Sequence, residues 1–210
     1  MKFGVDEAGK GPVLGSMFAA AVRTDPETLP EGIDDSKRLS ERRRERLAEA
    51  LRGDERIGIG IVELPPRRID AGNMNDLTVA AHAEALADVV EPGDVGRCDA
   101  GDVDADRFAR RVADRLPVAA TVRAAHGADA DDPLVGAASI VAKSAREAHV
   151  EALADEYGDV GSGYPSDPTT RSFLSTFVES TGELPDCARS SWSTCTDVLE
   201  AAEQSALEDF

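Results

Sequence analysis

The chain has 210 residues, enough for one main domain with a sizeable hydrophobic core and a small appendage. Its 41 Asp and Glu residues outnumber its 23 Lys and Arg residues, so the formal net charge is -18. No run reaches the about 18 apolar residues of a membrane span, and the N-terminus lacks the regions of a signal peptide, so we expect a cytoplasmic protein.

Strands and helices alternate in the first half of the chain. Apolar and β-branched runs predict three strands, with a charged helix capped by Ser40 before the third. The strands cover residues 3–5, 16–22 and 56–64, and the helix covers residues 41–51. The first strand runs directly into Asp6 and Glu7.

The second half continues this alternation as far as residue 157. Apolar residues at helical spacing predict helices that are separated by two short strands. The helices cover residues 77–90, 104–116 and 135–157, and the strands cover residues 95–100 and 117–124. We therefore predict a mixed five-stranded α/β sheet flanked by helices over residues 1–157. The glycine- and proline-rich loop GSGYPSDPTT then leads into a small helical C-terminal region over residues 158–210.

The acidic composition would normally argue against a nucleic-acid partner, because proteins that bind polyanions usually carry a basic face. Only four of the 23 basic residues are lysine, which leaves 19 arginines. A lysine-poor acidic surface is typical of a protein working in concentrated salt, where charges are screened over roughly 3 Å at 1 M. We attribute the charge to such a habitat and expect nucleic-acid binding to depend on short-range contacts.

Four carboxylates lie where strands end or where a helix begins. Asp6 and Glu7 end the first strand, Asp99 lies at the end of a later strand, and Asp129 precedes the long helix. In an α/β sheet such positions converge on one edge, where these folds place their sites. In so acidic a chain, a solvated acidic turn is the alternative for Asp6 and Glu7.

A bound cation is required if all four carboxylates meet, because they could not stay ionised together without one. Oxygen ligands suit Mg²⁺ or Mn²⁺, which bind through carboxylates, water and substrate phosphate. Two such ions, about 3.5–4 Å apart, would activate a water and stabilise the leaving oxygen of a phosphodiester. The carboxylates therefore indicate hydrolytic phosphoryl transfer.

Two competing motif assignments, an EF-hand loop and a nucleotide-binding loop, are excluded by the residues at their key positions. Asp102, Asp104 and Asp106 imitate the start of an EF-hand loop, but Arg107 stands where Gly is required and Ala113 where Glu is required. The glycines of GKGPVLG have neither the spacing of a dinucleotide-binding loop nor the Lys-Ser/Thr pair of a P-loop.

Cysteines and histidines show no spacing that indicates a zinc site or a catalytic triad. The cysteines are Cys98, Cys187 and Cys195, and the histidines are His82, His126 and His149. We predict reduced, buried thiols and interpret all three histidines as structural.

Three of the four lysines lie in stretches already selected by other features. Lys10 follows the paired carboxylates, Lys37 lies in DDSKRLS, and Lys143 lies in ASIVAKSAR. Positive charges beside a carboxylate cluster would suit phosphate binding, with coincidence as the alternative. Tyr164 lies in the GSGYPSDPTT loop, where its ring could contact a sugar or anchor the loop, and the residues alone leave both open.

Together these segments resemble ribonuclease HII, the type 2 ribonuclease H family, in its archaeal form. The resemblance spans nearly the whole chain and rests on GVDEAGKGPVLG (4–15), DDSKRLS (34–40), CDAGDVDADRF (98–108), HGADADDPLVGAASIVAK (126–143), GSGYPSDPTT (161–170) and RSSW (189–192). It implies a ribonuclease H-like mixed sheet with a smaller helical C-terminal part that helps to clamp duplex substrate.

The resemblance also implies roles for individual residues. The catalytic carboxylates that bind Mg²⁺ or Mn²⁺ would be Asp6, Glu7, Asp99 and Asp129. Gly9, Lys10 and Gly11 match the family's GRG turn, whose backbone reaches 2′-hydroxyls around the cleavage site. Tyr164 matches the tyrosine that reads the 2′-OH at an RNA-to-DNA junction. Lys10 departs from the usual Arg and replaces a planar fork with a point charge.

The implied function is an endonuclease that hydrolyses the RNA strand of RNA/DNA hybrids. It would also cut 5′ to ribonucleotides embedded in duplex DNA, leaving 5′-phosphate products, during ribonucleotide excision in replication and repair. Two alternatives stay open: another ribonuclease H-like nuclease such as a junction-cutting enzyme, and a non-catalytic acidic domain that binds a cation and a protein partner. All four carboxylates are present, which favours catalysis.

The expected oligomeric state is a monomer. The C-terminal letters SALEDF weakly resemble a clamp-binding tail, so a sliding clamp is a candidate partner.

Overall fold

A mixed five-stranded sheet organises the structure, a computed structural model that describes residues 1–33 and 39–208. The strands are Lys2–Ala8 (β1), Met17–Thr24 (β2), Gly58–Leu64 (β3), Val95–Asp99 (β4) and Thr121–Ala125 (β5). Their order is β3-β2-β1-β4-β5, with β1 antiparallel to β2 and parallel to β4, and β4 parallel to β5. The predicted mixed sheet is confirmed.

Strand register brings the first two candidate carboxylate positions side by side. Val5 pairs with Cys98 across the parallel strands β1 and β4. Asp6 and Asp99 each follow one residue later, so they lie at the same edge of the sheet. Asp99 in turn pairs with Ala125, the last residue of β5.

Seven helices accompany the sheet in the described part of the chain. They are Glu41–Gly53 (α1), Pro66–Asp70 (α2), Met74–Ala87 (α3), Ala105–Ala113 (α4), Pro133–Tyr157 (α5), Pro168–Thr181 (α6) and Ser193–Glu208 (α7). Ser40 occupies the N-cap of α1 as predicted, but its side chain makes no capping bond. Asp104 caps α4 by accepting a hydrogen bond from the Arg107 amide. The short helix α2, which lies between two predicted elements, was not predicted.

The chain divides into two compact units. The sheet unit comprises residues 1–8, 17–63 and 74–146, and the helical unit comprises residues 9–16, 64–73 and 147–210. The domain division proposed from sequence, 1–157 and 158–210, stays a prediction.

Each unit has its own hydrophobic core. In the sheet unit, Val22 of β2, Leu51 of α1 and Val141 of α5 belong to one buried cluster. In the helical unit, Leu174 of α6 and Val198 of α7 belong to another.

Close packing of α5 on β1 requires a glycine at position 4. A Cβ on Gly4 would lie 2.2 Å from the backbone C of Leu134 and the backbone N of Val135. No real side chain tolerates that distance, so the missing Cβ lets the first turn of α5 rest directly on the strand. This contact holds the start of α5, and the turn before it, against the strand that carries Asp6.

Candidate active site

Asp6 is a buried carboxyl on the α5 face of the sheet. Side chains alternate along a strand, so Asp6 shares the face of Gly4, and the Ser139 hydroxyl of α5 lies beside it. Only 5% of its surface is exposed, and its Oδ1 accepts a hydrogen bond of 2.8 Å from the Glu7 amide. Burial, followed by the charges of Glu7 and Asp99, raises the pKa of Asp6 to about 7.

Asp99 and Asp129 are linked by the turn that follows β5. The Ala128 amide donates to Asp99 Oδ1 at 2.7 Å, and Asp129 follows on the buried 3₁₀ turn Ala128–Ala130. Burial raises the pKa of Asp99, and the charges of Glu7 and Asp129 raise it further. The end of β4 and the approach to α5 therefore supply two interacting carboxylates.

The four predicted carboxylates form one electrostatic cluster within the sheet unit. Asp6 interacts with Glu7 and Asp99, and Asp99 interacts with Glu7 and Asp129. Among the described residues, no three Asp, Glu, His or Cys side chains converge tightly enough to enclose a metal ion on their own. The donors still fit Mg²⁺ or Mn²⁺, because such ions are held through one or two carboxylates and keep water and phosphate as other ligands. Burial and mutual repulsion raise the pKa of Asp6 and of Asp99, and a divalent cation would offset both effects.

His82, predicted from the sequence to be structural, contacts this cluster. Its Nε2 lies 2.6 Å from Glu7 Oε2, and its side chain is fully buried. The available signal was an imidazole inside an alanine-rich helix. Its partner could not be inferred, because Glu7 lies 75 positions earlier in the chain.

Arg189 lies buried beneath the GKG turn (residues 9–11) in the helical unit. Its guanidinium donates to the carbonyl oxygens of Gly9 at 2.6 Å, Lys10 at 3.0 Å and Gly15 at 2.9 Å. Its Cζ lies 5.2 Å from the ring centroid of Trp192. Three bonds from one rigid fork fix the backbone of this segment. The RSSW motif predicted no particular role for Arg189, because full burial of an arginine cannot be inferred from its neighbours in the chain.

The structure brings Tyr164 beside the GKG turn. A Cβ on Gly11 would lie 3.7 Å from Cε1 of the tyrosine ring, and Tyr164 as a residue is 45% exposed. The Gly163 carbonyl accepts hydrogen bonds from the amides of Val13 at 2.8 Å and Leu14 at 3.2 Å. These bonds secure the tyrosine loop to the segment that follows the turn, and they leave much of the ring accessible to a ligand.

The two remaining lysine predictions are not tested by these contacts. Lys143 lies half-buried on α5. Lys37 falls within residues 34–38, outside the described residues.

Asp102 forms an ion pair with Arg107, at 2.7 Å, near the start of α4. All three cysteines are buried and form no disulfide, as predicted.

No helix in residues 1–33 and 39–208 has the length and apolar character needed to cross a membrane.

A mixed sheet of this order, with carboxylates at two adjacent strand ends and on the turn after β5, defines a ribonuclease H-like protein. Solved structures share the fold. Ribonuclease H2 from Pyrococcus horikoshii is 34% identical, with a TM-score of 0.89 over 97% of this chain and 99% of that chain. The ribonuclease HII of a PCNA complex from Archaeoglobus fulgidus is 37% identical, with a TM-score of 0.83 over 94% and 96%. Bst-RNase HIII in complex with Mn²⁺ matches in fold at 21% identity, with a TM-score of 0.81 over 97% of this chain and 70% of that chain.

The sequence comparisons are more specific. The model of the family "Ribonuclease HII" matches residues 3–195. Proteins named ribonuclease HII are 62% identical in Haloarcula marismortui, over the full length of both chains, and 61% identical in Natronomonas pharaonis, over 99% of this chain and 98% of its relative. The chain therefore belongs to the ribonuclease HII family and is a ribonuclease H, an endonuclease of RNA/DNA hybrids. The resemblance is confirmed, and these relatives come from halophilic archaea, in line with the acidic composition.

Proposed function

We propose that this endonuclease also cuts 5′ to single ribonucleotides embedded in duplex DNA, by two-metal-ion hydrolysis that leaves 5′-phosphate products. It would serve ribonucleotide excision in DNA replication and repair, in the cytoplasm and as a monomer. The observation that supports this best is the carboxylate cluster. Burial, together with the charges of Glu7 and Asp99, raises the pKa of Asp6 to about 7, and Asp99 in turn interacts with Asp129.

The metal ligands in this proposal are Asp6, Glu7, Asp99 and Asp129. Bound Mg²⁺ or Mn²⁺ would supply Lewis acidity and a nucleophilic water for attack on the phosphodiester. The protein's part is to present ionised, fixed carboxylates. Asp6 must give up its proton when a cation binds, because a ligand carboxyl has to be ionised. The Ala128 amide limits the freedom of Asp99 by occupying its Oδ1.

Substrate recognition is assigned to the GKG turn and Tyr164, with Lys37 and Lys143 as candidate phosphate contacts. The 2′-OH is the group that distinguishes ribose from deoxyribose, so it has to be read by hydrogen bonding or close packing. Arg189 holds the carbonyls of the turn, and Tyr164 packs beside Gly11 with its ring partly exposed. Both features supply a rigid, accessible surface suited to a ribose.

A sliding clamp is the protein partner that we propose. The Archaeoglobus fulgidus relative was solved as a complex with PCNA, which supports this proposal. The side chains of the SALEDF tail, residues 205–210, are outside the described part of the chain. Pull-down with the clamp, using chains with and without these six residues, tests the partner separately from the nuclease activity.

The decisive experiment compares a DNA duplex containing one ribonucleotide with its all-DNA twin. The purified chain is incubated with each, at high and low salt, with Mg²⁺ or Mn²⁺ and with a chelator. We expect a single cut 5′ to the ribonucleotide, a 5′-phosphate on the product, and no cut in the twin or after chelation.

Other outcomes would redirect the assignment. Cleavage of the all-DNA twin or of branched junctions would favour a different ribonuclease H-like nuclease. No cleavage in any condition, by protein shown to be folded, would favour a non-catalytic domain that binds a cation.

A further inference from the structure

His82 is a fully buried histidine whose ring position is set on two sides. It lies on α3, and the Phe108 ring of α4 meets it edge-on, with ring centroids 5.1 Å apart and an interplanar angle of 88°. Phe108 is itself fully buried. On the other side, Nε2 lies 2.6 Å from Glu7 Oε2, a short distance typical of a hydrogen bond to a charged acceptor.

Packing alone does not explain an imidazole at this position. Its second nitrogen, Nδ1, is buried without a hydrogen-bond partner in the described residues. A buried polar atom left unpaired lowers stability by about 1–3 kcal/mol, and an apolar side chain would avoid that loss. The hydrogen bond to Glu7 is therefore the feature that distinguishes histidine from a hydrophobic residue here. A proton on Nε2 satisfies this bond and leaves a bare lone pair, rather than an N–H, at the unpaired atom.

Glu7 needs such support because of where it leaves the strand. Asp6 faces α5, so alternation directs Glu7 to the opposite face, towards α3. Glu7 must still act together with Asp6 and Asp99, whose negative charges repel it. A donor on α3 would hold its carboxylate against that repulsion.

We propose that His82 is a positioning residue, which donates a hydrogen bond from Nε2 to Glu7 Oε2 and holds that carboxylate in place as a metal ligand. The inference rests on the proposed function, in which Glu7 is a ligand. Partners of this kind orient ligating groups, and their loss typically weakens metal affinity or activity by about 10–100-fold.

Three substitutions separate positioning from packing. His82→Leu keeps an apolar side chain against Phe108 but removes the donor. His82→Gln places an amide N–H at nearly the reach of Nε2, whereas His82→Asn has the same amide one methylene shorter. Thr78→Val is the matched control. Thr78 is also fully buried, one turn earlier on α3, and its hydroxyl donates to the Met74 carbonyl rather than to a carboxylate.

Each variant is measured without substrate and with it. A Mn²⁺ titration monitored by electron paramagnetic resonance gives the metal affinity, and urea unfolding gives the free energy of unfolding. Cleavage of the ribonucleotide-containing duplex gives kcat and KM. We expect His82→Leu and His82→Asn to bind Mn²⁺ about 10–100-fold more weakly and to lose kcat by a similar factor with little change in KM. His82→Gln should recover most of both, and Thr78→Val should match the wild type.

Several results would overturn this role. Wild-type Mn²⁺ affinity and kcat in folded His82→Leu would show that the bond to Glu7 does nothing for the site. Equal losses in the Gln and Asn variants would identify His82 as a packing residue, and this pair decides the matter if His82→Leu does not fold. A wild-type chain that binds Mn²⁺ but cleaves no ribonucleotide-containing duplex would refute the proposed function alone, because the Mn²⁺ titrations still test His82.

Discussion

Ionisation of Asp6 is unfavourable in the metal-free protein. It is buried, and the charges of Glu7 and Asp99 act against its ionised form. Such a group destabilises the metal-free protein. In the proposed function Asp6 is a metal ligand, so its contribution to activity would be opposite in sign to its contribution to stability, and a single substitution can separate the two.

We expect Asp6→Asn to reduce turnover by more than about 100-fold, because losing a ligand should exceed the loss of an outer partner. The substitution removes repulsion, so the free energy of unfolding without metal should hold or rise. Cleavage assays and urea unfolding in chelator measure both. Asp155→Asn, at an exposed position of α5, is the control and should behave as wild type. Unfolding of Asp6→Asn would instead mark this carboxyl as structural.

The raised pKa of Asp6 also predicts how stability depends on pH. Folded protein keeps the Asp6 proton up to a pH of about 7, whereas the pKa of the unperturbed carboxyl is 3.8. Folded chains therefore bind more protons between these values, and stability in chelator should fall as pH rises from about 4 to about 7. The fall should be about 3–4 kcal/mol and should largely disappear in Asp6→Asn. Identical pH profiles for the two proteins, from urea unfolding at constant salt, would contradict this. Asp94, whose pKa is lowered to about 2, titrates below that window.

At the scale of elements, helix α5 and strand β1 are in direct backbone contact. The first turn of α5 contacts the strand at Gly4, and the turn before α5 carries Asp129. The position of one carboxylate relative to another is thus set by how closely a helix approaches a strand.

Gly4→Ala should lower the free energy of unfolding by about 3 kcal/mol or more, because its Cβ would meet helix backbone that has no room to move. Activity should fall as well, since the start of α5 has to shift. Gly53→Ala is the control: nothing lies within 4 Å of a Cβ at this last residue of α1. It should leave stability unchanged or raise it by roughly 0.5–1 kcal/mol. Similar unfolding curves for both variants would show that the contact is looser than described.

The GKG turn depends on Arg189 in a comparable way. Arg189→Met should release three backbone carbonyls and raise KM for the ribonucleotide-containing duplex by roughly tenfold or more, with a smaller effect on kcat. Stability should also fall, by about 2–3 kcal/mol, because buried acceptors lose a charged donor. KM is measured in salt that keeps the variant folded. Arg110→Met, at an exposed position of α4, is the control. An unchanged KM would separate the conformation of this turn from substrate binding.

At the scale of the whole molecule, the net charge of -18 sets the conditions for folding. Like charges repel across an acidic surface, and salt screens that repulsion. Lowering KCl from roughly 3 M to roughly 0.1 M lengthens the screening distance to about 10 Å. We expect the Tm to fall by more than about 5 °C, corresponding to a loss of at least 1–2 kcal/mol. Asp6→Asn should show the same fall, because the repulsion lies on the surface. A salt-independent Tm would refute the saline interpretation of the composition.

The sequence by itself determined the mixed α/β class and most element positions. Alternating and helical periodicities report directly which residues face a core, and these patterns are local. It also selected the four carboxylates, because acidic residues where apolar strands end are conspicuous against their neighbours. The observed ends of helices and strands differ from the predicted ends by a few residues, because capping and fraying depend on contacts that the sequence does not show. The predicted cap at Ser40 is an example: the position was right, but the capping bond is absent.

Only the tertiary structure decided which groups contact those carboxylates and the GKG turn. His82 and Glu7 are separated by 75 positions, and Arg189 reaches carbonyls 174 to 180 positions earlier. A histidine in a helix and an arginine near a tryptophan look alike whether they are exposed or buried. Their partners are chosen by strand pairing and helix docking, which join residues regardless of separation. For that reason pattern and composition predicted the chemistry, whereas the side chains that contact the predicted groups emerged only when the chain was folded.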